Sequence, residues 1–196
     1  NRKKKVINKL GMIFGNNRHR IVDRAGCVGA DGCTHHGMYD IPLLRPLTGM
    51  SIVAPTSAEE MRDSLFSALD AASPVAIRYP RGVAPSRADV EDGAAARAGS
   101  CQDGGCTVRM YAVGDQVHKA FKIREVLSSE GVNADVVPVS AVKPSPAVVR
   151  DNALVVSLEN GLVCGGFGEI IGADLRFGWP DVAVAHGTVE ELEREH

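Results

Sequence analysis

No run of about 18 consecutive apolar residues occurs in the sequence, so no segment is long enough to cross a bilayer as a helix. The opening residues also lack the apolar stretch that follows the charges of a secretory signal. Cationic excess is absent too: 22 Lys and Arg stand against 24 Asp and Glu, a formal net charge of -2, which argues against nucleic acid as the main partner. What basic charge there is gathers at the start, in Arg2-Lys3-Lys4-Lys5 and Arg18-His19-Arg20. Such a tail can touch phosphates or membranes, although solvated lysines near a terminus need no function. The five cysteines form no zinc pattern, and their odd number in a chain too large to need staples predicts free thiols in a reducing cytoplasm. Cys101 and Cys106 flank a glycine-bearing loop, so a disulfide between them stays open. No Walker motif is present, and Gly26, Gly29 and Gly32 form no dinucleotide fingerprint, since no GxGxxG follows a strand and opens a helix.

With 44% hydrophobic residues the 196-residue chain can bury a core, and its length suits one large or two small α/β domains. Ile21-Val22 reads as the end of a strand, followed by a loop in which Gly26, Gly29, Gly32 and Gly37 recur. A loop so costly in entropy usually wraps something. Residues 51–54 read as a strand closed by Pro55. Ser57 and Glu60 then form a capping box for a helix with an apolar stripe of Met61, Leu65, Ala68, Leu69 and Ala72, and Pro74 precedes a strand at Val75-Ala76-Ile77. Strand, helix, strand begins a parallel α/β layer, and such sheets carry ligand loops at the carboxyl ends of their strands. Asp23-Arg24 and Arg78-Tyr79-Pro80-Arg81-Gly82 both fall at such ends, which allows Arg24 and Arg81 to reach one pocket.

Residues 1–82 form the first unit and 83–105 read as a linker with an edge strand inside it. The second unit, 106–196, is predicted to hold strands at 108–113, 134–139 and 153–157, a helix at 115–129, a helix within 165–177, a last strand at 182–185, and a terminal helix capped by Thr188 and Glu191. A sheet of two or three parallel strands makes a poor domain by itself, so the first unit predicts further sequence upstream or a partner chain.

Asp31 and His35 carry the chemistry that the loop offers. A carboxylate and an imidazole close together can share a proton, orient a ring nitrogen or present a donor to a developing oxyanion. The structural alternative is that Asp31 closes a turn and His35 bonds the loop. Arginines at two strand ends add weight to the functional reading, because a planar guanidinium grips phosphate with paired donors; a salt bridge from Arg24 to Asp23 or Asp31, and a solvated turn for Arg81, are the ordinary readings. Cys27, Cys33 and Cys164 need a held base to act as nucleophiles, and the adjacency of His35 and His36 to Cys33 is poor evidence for one. Glu159 and Asn160, at a strand end, fit turn and cap chemistry, with a site rim as the alternative. Gly165-Gly166-Phe167-Gly168 reads as a helix started tightly against the strand at Ser157.

Together, Asp23-Arg24-Ala25-Gly26, Gly29-Ala30-Asp31-Gly32, Thr34-His35-His36-Gly37 and Arg78-Tyr79-Pro80-Arg81-Gly82 resemble the 1-deoxy-D-xylulose-5-phosphate synthase family of the transketolase superfamily. Lys143-Pro144, Leu158-Glu159-Asn160, Gly165-Gly166 and His186-Gly187-Thr188 extend the resemblance, more loosely shared with transketolases and 2-oxoacid dehydrogenase beta subunits. It implies an α/β fold in which a partial thiamine-diphosphate pyrimidine-binding domain is followed by a small transketolase C-terminal-like domain. It further implies condensation of pyruvate with glyceraldehyde 3-phosphate to 1-deoxy-D-xylulose 5-phosphate and CO2, with thiamine diphosphate and Mg2+ as cofactors. Arg24 and Arg81 would hold the acceptor phosphate, and Asp31 and His35 would line the reactive carbon as catalytic residues, with His36 a neighbour. The domain that binds diphosphate and Mg2+ and the glutamate that activates the aminopyrimidine have no counterpart in the sequence. The chain alone is therefore expected to be inactive, a part of a longer synthase, a split subunit of a homodimer or hetero-oligomer, or a degenerate copy. Another transketolase-like or dehydrogenase beta-type subunit, or a noncatalytic dimerisation or regulatory homologue, are the alternative readings.

Overall fold

The computed structural model describes residues 20–95 and 105–196. The basic opening before Arg20, and Cys101 with the pairing considered for it, lie outside the described residues. Two four-stranded sheets share the chain. The first contains β1 (Arg20–Asp23), β2 (Ser51–Val53), β3 (Val75–Tyr79) and β6 (Ala141–Lys143), in the order β1-β3-β2-β6. The second contains β4 (Val108–Val113), β5 (Ala134–Val139), β7 (Leu154–Leu162) and β8 (Leu175–Trp179), in the order β5-β4-β7-β8.

In the first sheet β3 lies between β1 and β2 and is parallel to both, with Val75, Ala76 and Ile77 buried. The fourth strand comes from downstream. β6, from within 106–196, pairs antiparallel with β2, and Lys143 Nζ donates to the carbonyls of Arg45 and Leu47 beneath it. A short helix, α1 (Asp40–Leu44), precedes β2, and α2 (Ala58–Asp70) joins β2 to β3. Ser57 Oγ accepts from Glu60 N at 3.1 Å, as a cap should, but the Glu60 carboxylate reaches Thr56 N and Oγ1, both at 2.7 Å, one residue upstream of the expected partner. The predicted stripe is narrower as well. Ala68, Met61 and Leu65 pack against Val75 and Ile77, whereas Leu69 is 72% exposed and Ala72 falls beyond the helix end.

The expected linker contains no edge strand in its described part. Arg87–Ala95 is a helix, α3, whose Val90 enters the core of the second unit. It lies close enough to α4 (Val117–Ser129) that a Cβ on Gly93 would stand 2.3 Å from the Phe121 ring, and Arg124 Nη1 donates to the Gly93 carbonyl. Val117, Ala120 and Phe121 of α4 cover Met110, Ala112, Val136, Val156 and Leu158 on one face of the second sheet. On the opposite face Tyr111, Val113 and Val155 meet Ile41, Ile52, Ala54 and Val142, so one apolar core joins both sheets.

β7 lies between β4 and β8, parallel to both and buried along most of its length, and continues past Ser157 to Leu162. The predicted helix within 165–177 shrinks to α5 (Phe167–Ile170), because Gly172 turns the chain at φ 61° and Leu175–Trp179 then pairs with β7 as β8. Residues 182–185 are not a strand; Val184 instead packs with Cys27, Met38, Trp179 and Leu192 of α6 (Val189–Glu195), whose capping box at Thr188 and Glu191 is complete. Glycine at 168 is a packing requirement, since a Cβ there would lie 2.1 Å from the buried Ser157 Oγ. Gly168→Ala should cost roughly 1–3 kcal/mol in urea unfolding. In a Ser157→Ala background, where the colliding and otherwise unbonded hydroxyl is gone, most of that cost should disappear; equal costs in both backgrounds would locate the clash elsewhere.

Candidate active site: an arginine pair on a glycine-rich loop

The loop that follows β1 turns sharply as it leaves the sheet. Arg24 has φ 65°, a left-handed conformation that costs a side-chain-bearing residue about 1–2 kcal/mol, and the turn is fixed on both sides. Ala25 N donates to Tyr79 O at 2.8 Å, and Gly37 N donates to Gly26 O at 2.7 Å, closing the loop on itself. The Gly37 position is in contact with the Arg24 carbonyl, leaving no space for a Cβ.

That turn aims Arg24 at the loop's own acid. Arg24 Nη1 and Arg81 Nη1 both donate to Asp31 Oδ2, the second at 3.1 Å, so the ends of β1 and β3 meet at a single carboxylate oxygen. All three side chains are open to solvent, Arg81 to 61%, so neither ion pair adds much to stability. The arrangement leaves two guanidinium charges against one carboxylate and most of their N–H donors unused.

His35 is exposed on the same loop, with Nδ1 3.1 Å from Thr34 Oγ1, and is not hydrogen-bonded to Asp31. His36 is buried and architectural: Nδ1 accepts from Val28 N, which leaves Nε2 as the donor to Ala185 O. Burial pushes the Cys27 thiol up from its ordinary range, away from nucleophilic use. Cys33 and Cys164 are exposed, and no base is bonded to either. His186 approaches from the far side, its Cδ2 3.9 Å from where a Gly32 Cβ would stand.

Beneath the arginines is a buried polar network that the sequence did not announce. Arg78, in the apolar run of β3, donates from Nε to Asp40 Oδ2 at 2.7 Å and from Nη2 to Asn160 O at 2.8 Å. Asn160 Nδ2 donates to Asp115 Oδ2, and its Oδ1 accepts from Cys27 N and Trp179 Nε1. Glu159 accepts from Phe167 N and Gly168 N, capping α5 as its position implied. Burial works against the charge on Arg78, yet Asp40 and the other carboxylates nearby more than restore it. Burial also pushes the carboxyls of Asp115 and Glu159 up, against the pull of Arg78 and their hydrogen bonds. The signal available in advance was Arg78 itself, since an arginine inside a buried strand demands a partner.

Among the described residues no group of three or more His, Cys, Asp or Glu side chains could hold a metal. No described helix is long and apolar enough to cross a membrane.

A glycine-rich loop and paired arginines at the ends of parallel strands, joined to a second parallel α/β unit, make up the candidate site. Residues 9–86 match the transketolase pyrimidine-binding domain. The chain is 34% identical over 193 residues to a 1-deoxy-D-xylulose-5-phosphate synthase of Chlorobium luteolum, covering 89% of the chain and 30% of that protein. To a synthase of the same name from Synechococcus it is 36% identical over 205 residues, covering 94% and 30%. Its fold superposes on a split-gene transketolase described as an inactive beta4 tetramer, with TM-score 0.72 and 25% identity, over 90% of the chain and 61% of that structure. A Pichia stipitis transketolase shares the fold at TM-score 0.72 and 19% identity, over 91% of the chain and 28% of that structure. The chain thus matches the transketolase and 1-deoxy-D-xylulose-5-phosphate synthase superfamily as a partial chain, spanning about 30% of these synthase relatives.

The raised carboxyl of Asp115 gives a pH prediction. A carboxyl whose pKa is higher folded than unfolded contributes stability that is fully present below its unfolded range and lost as pH rises through its folded pKa. Asp115→Asn, which keeps an acceptor for Asn160, should remove that component. Unfolding free energy measured from acid to neutral pH should therefore fall less steeply in the variant; parallel curves would show that Asp115 contributes no such component.

Proposed function

We propose that this chain supplies the acceptor-binding side of a 1-deoxy-D-xylulose-5-phosphate synthase site, as part of a longer or multi-chain enzyme that condenses pyruvate with glyceraldehyde 3-phosphate and releases CO2. The convergence of Arg24 and Arg81 on one oxygen of Asp31 carries this reading. Two strand ends deliver their guanidinium groups to one point, with a net positive charge and spare planar donors, which is the chemistry a phosphate monoester requires. Asp31 orders the pair until the phosphate arrives, and its carboxylate and the exposed His35 then face the acceptor's reacting end. A noncatalytic homologue has no need for this convergence, and a dehydrogenase beta-type subunit, which serves no phosphosugar, has no need for the pair.

The thiamine diphosphate and Mg2+ implied by the resemblance belong to sequence outside the described residues, supplied by the rest of a longer chain or by a partner in a homodimer or hetero-oligomer. The protomer's share is binding and orientation. The division into a pyrimidine-domain portion up to residue 82, a connecting stretch and a C-terminal-like domain from 106 belongs to the same proposal, with β6 exchanged back into the first sheet. Exposed thiols at Cys33 and Cys164 favour a cytoplasmic setting.

In the intact source protein, Arg24→Met or Arg81→Met should each raise KM for glyceraldehyde 3-phosphate about 10–100-fold, the loss of a charged hydrogen bond worth roughly 1.5–3 kcal/mol. Phosphate-free glyceraldehyde should be used as before. An equal loss on both acceptors would defeat the phosphate assignment. His35→Ala should lower kcat by about 10²–10⁴ if the imidazole moves a proton; unchanged turnover removes it from the chemistry.

A further inference from the structure

We propose that Asn160 is a positioning residue: from the second sheet it tethers the Arg24–Gly37 loop and so sets the direction of Arg24. The proposal rests on the phosphosugar reading for its catalytic consequence and on geometry alone for the tether. Asn160 belongs to β7, yet its polar atoms serve the neighbouring unit. Oδ1 accepts from Cys27 N at 3.2 Å and from Trp179 Nε1 at 2.9 Å, Nδ2 donates to Asp115 Oδ2 at 2.9 Å, and its carbonyl accepts from Arg78 Nη2 at 2.8 Å. Two N–H donors on one side and a carboxylate on the other determine the chemistry of the group between them. An amide carries its acceptor and its donors on separate atoms, so it can face two N–H groups with one end and a carboxylate with the other, which a single hydroxyl oxygen cannot. An aspartate would turn a carboxylate toward Asp115, and an aliphatic residue would leave buried polar groups unmatched.

The contact is also close. A Cβ on Gly26 would stand 2.1–2.2 Å from the Asn160 side-chain amide, so the loop backbone lies directly on it. Arg24, in its left-handed conformation, is held on the near side by Ala25 N to Tyr79 O and on the far side by Cys27 N to Asn160. Strained backbone persists where its surroundings over-determine it. With the Cys27 anchor gone, the turn can relax and swing the Arg24 guanidinium away from Arg81. This gives the second α/β unit a role at the site without a residue of its own touching the acceptor.

The test compares Asn160→Ala and Asn160→Asp with the parent in the intact protein, following amide hydrogen exchange at Cys27 and Val28, with Met110 and Ala112 in β4 as the folding control. Asn160→Ala should speed Cys27 exchange at least about tenfold relative to Met110. It should also raise KM for glyceraldehyde 3-phosphate while leaving kcat with phosphate-free glyceraldehyde unchanged. Asn160→Asp should regain Cys27 protection as pH is lowered and one of the facing carboxyls takes a proton, whereas Asn160→Ala should not. Asp115 and Arg78 bond to Asn160, and Lys119, Glu159, Glu193 and His196 line the cavity it borders. Cys27 exchange that is unchanged, or that rises only in step with Met110 in both variants, overturns the tether. If instead the parent enzyme itself fails to distinguish the two acceptors, the phosphosugar reading fails while the exchange comparison still judges Asn160.

Discussion

The burial of one arginine constrains most of this structure. Arg78 stands in a strand whose other residues are apolar, and its charge is tolerable only because Asp40 meets it with a short hydrogen bond and the Asn160 carbonyl takes a second N–H. Removing one member of such a buried pair typically costs about 3–5 kcal/mol, since the survivor keeps its charge without compensation. The pair therefore fixes α1 to β3, and through Asn160 fixes β3 to the second sheet. Asp40 and Glu159 are buried near this single guanidinium and Asp115 is partly buried beside it; removal from water pushes the Asp115 and Glu159 carboxyls up, and the Asp40 charge adds to the shift at Glu159.

Around this centre the two units are closer than their sequence order implies. The core that includes Ile52, Ala54 and Val142 from one sheet also contains Tyr111, Val113 and Val155 from the other. β6 crosses from the second stretch of chain to complete the first sheet, while α3, from the stretch between them, joins the core of the second. A loop built on the first unit is therefore held by residues of the second. His36 bonded to Ala185, Cys27 bonded to Asn160, and Gly29 lying against Gly187 are three such attachments.

What the sequence made legible follows from local physics. The alternating and continuous apolar runs of β3, β4 and β5, the Ser57 cap and the Thr188 capping box depend on neighbours within a few residues, and they form where expected. The convergence of Arg24 and Arg81 was readable because both lie at the ends of parallel strands. Where structure and local pattern differ, the causes are non-local. Leu175–Trp179, where the local pattern predicts helix, becomes β8 only by pairing with β7, and at 182–185, where the apolar run predicts a strand, Val184 is buried by packing without a ladder. β6 pairs with β2 across some ninety residues, which no local pattern reveals. Asn160 was readable as a cap or a rim, but its partners Cys27, Trp179 and Asp115 come from three distant segments.

The central claim is that Arg24 and Arg81 together receive a phosphate. A crystal structure of the intact protein with a stable glyceraldehyde 3-phosphate analogue tests it most directly. The account predicts phosphate oxygens within hydrogen-bond distance of both guanidinium groups, with Asp31 displaced from between them. An analogue bound with its phosphate elsewhere, and both arginines still closed on Asp31, would contradict it.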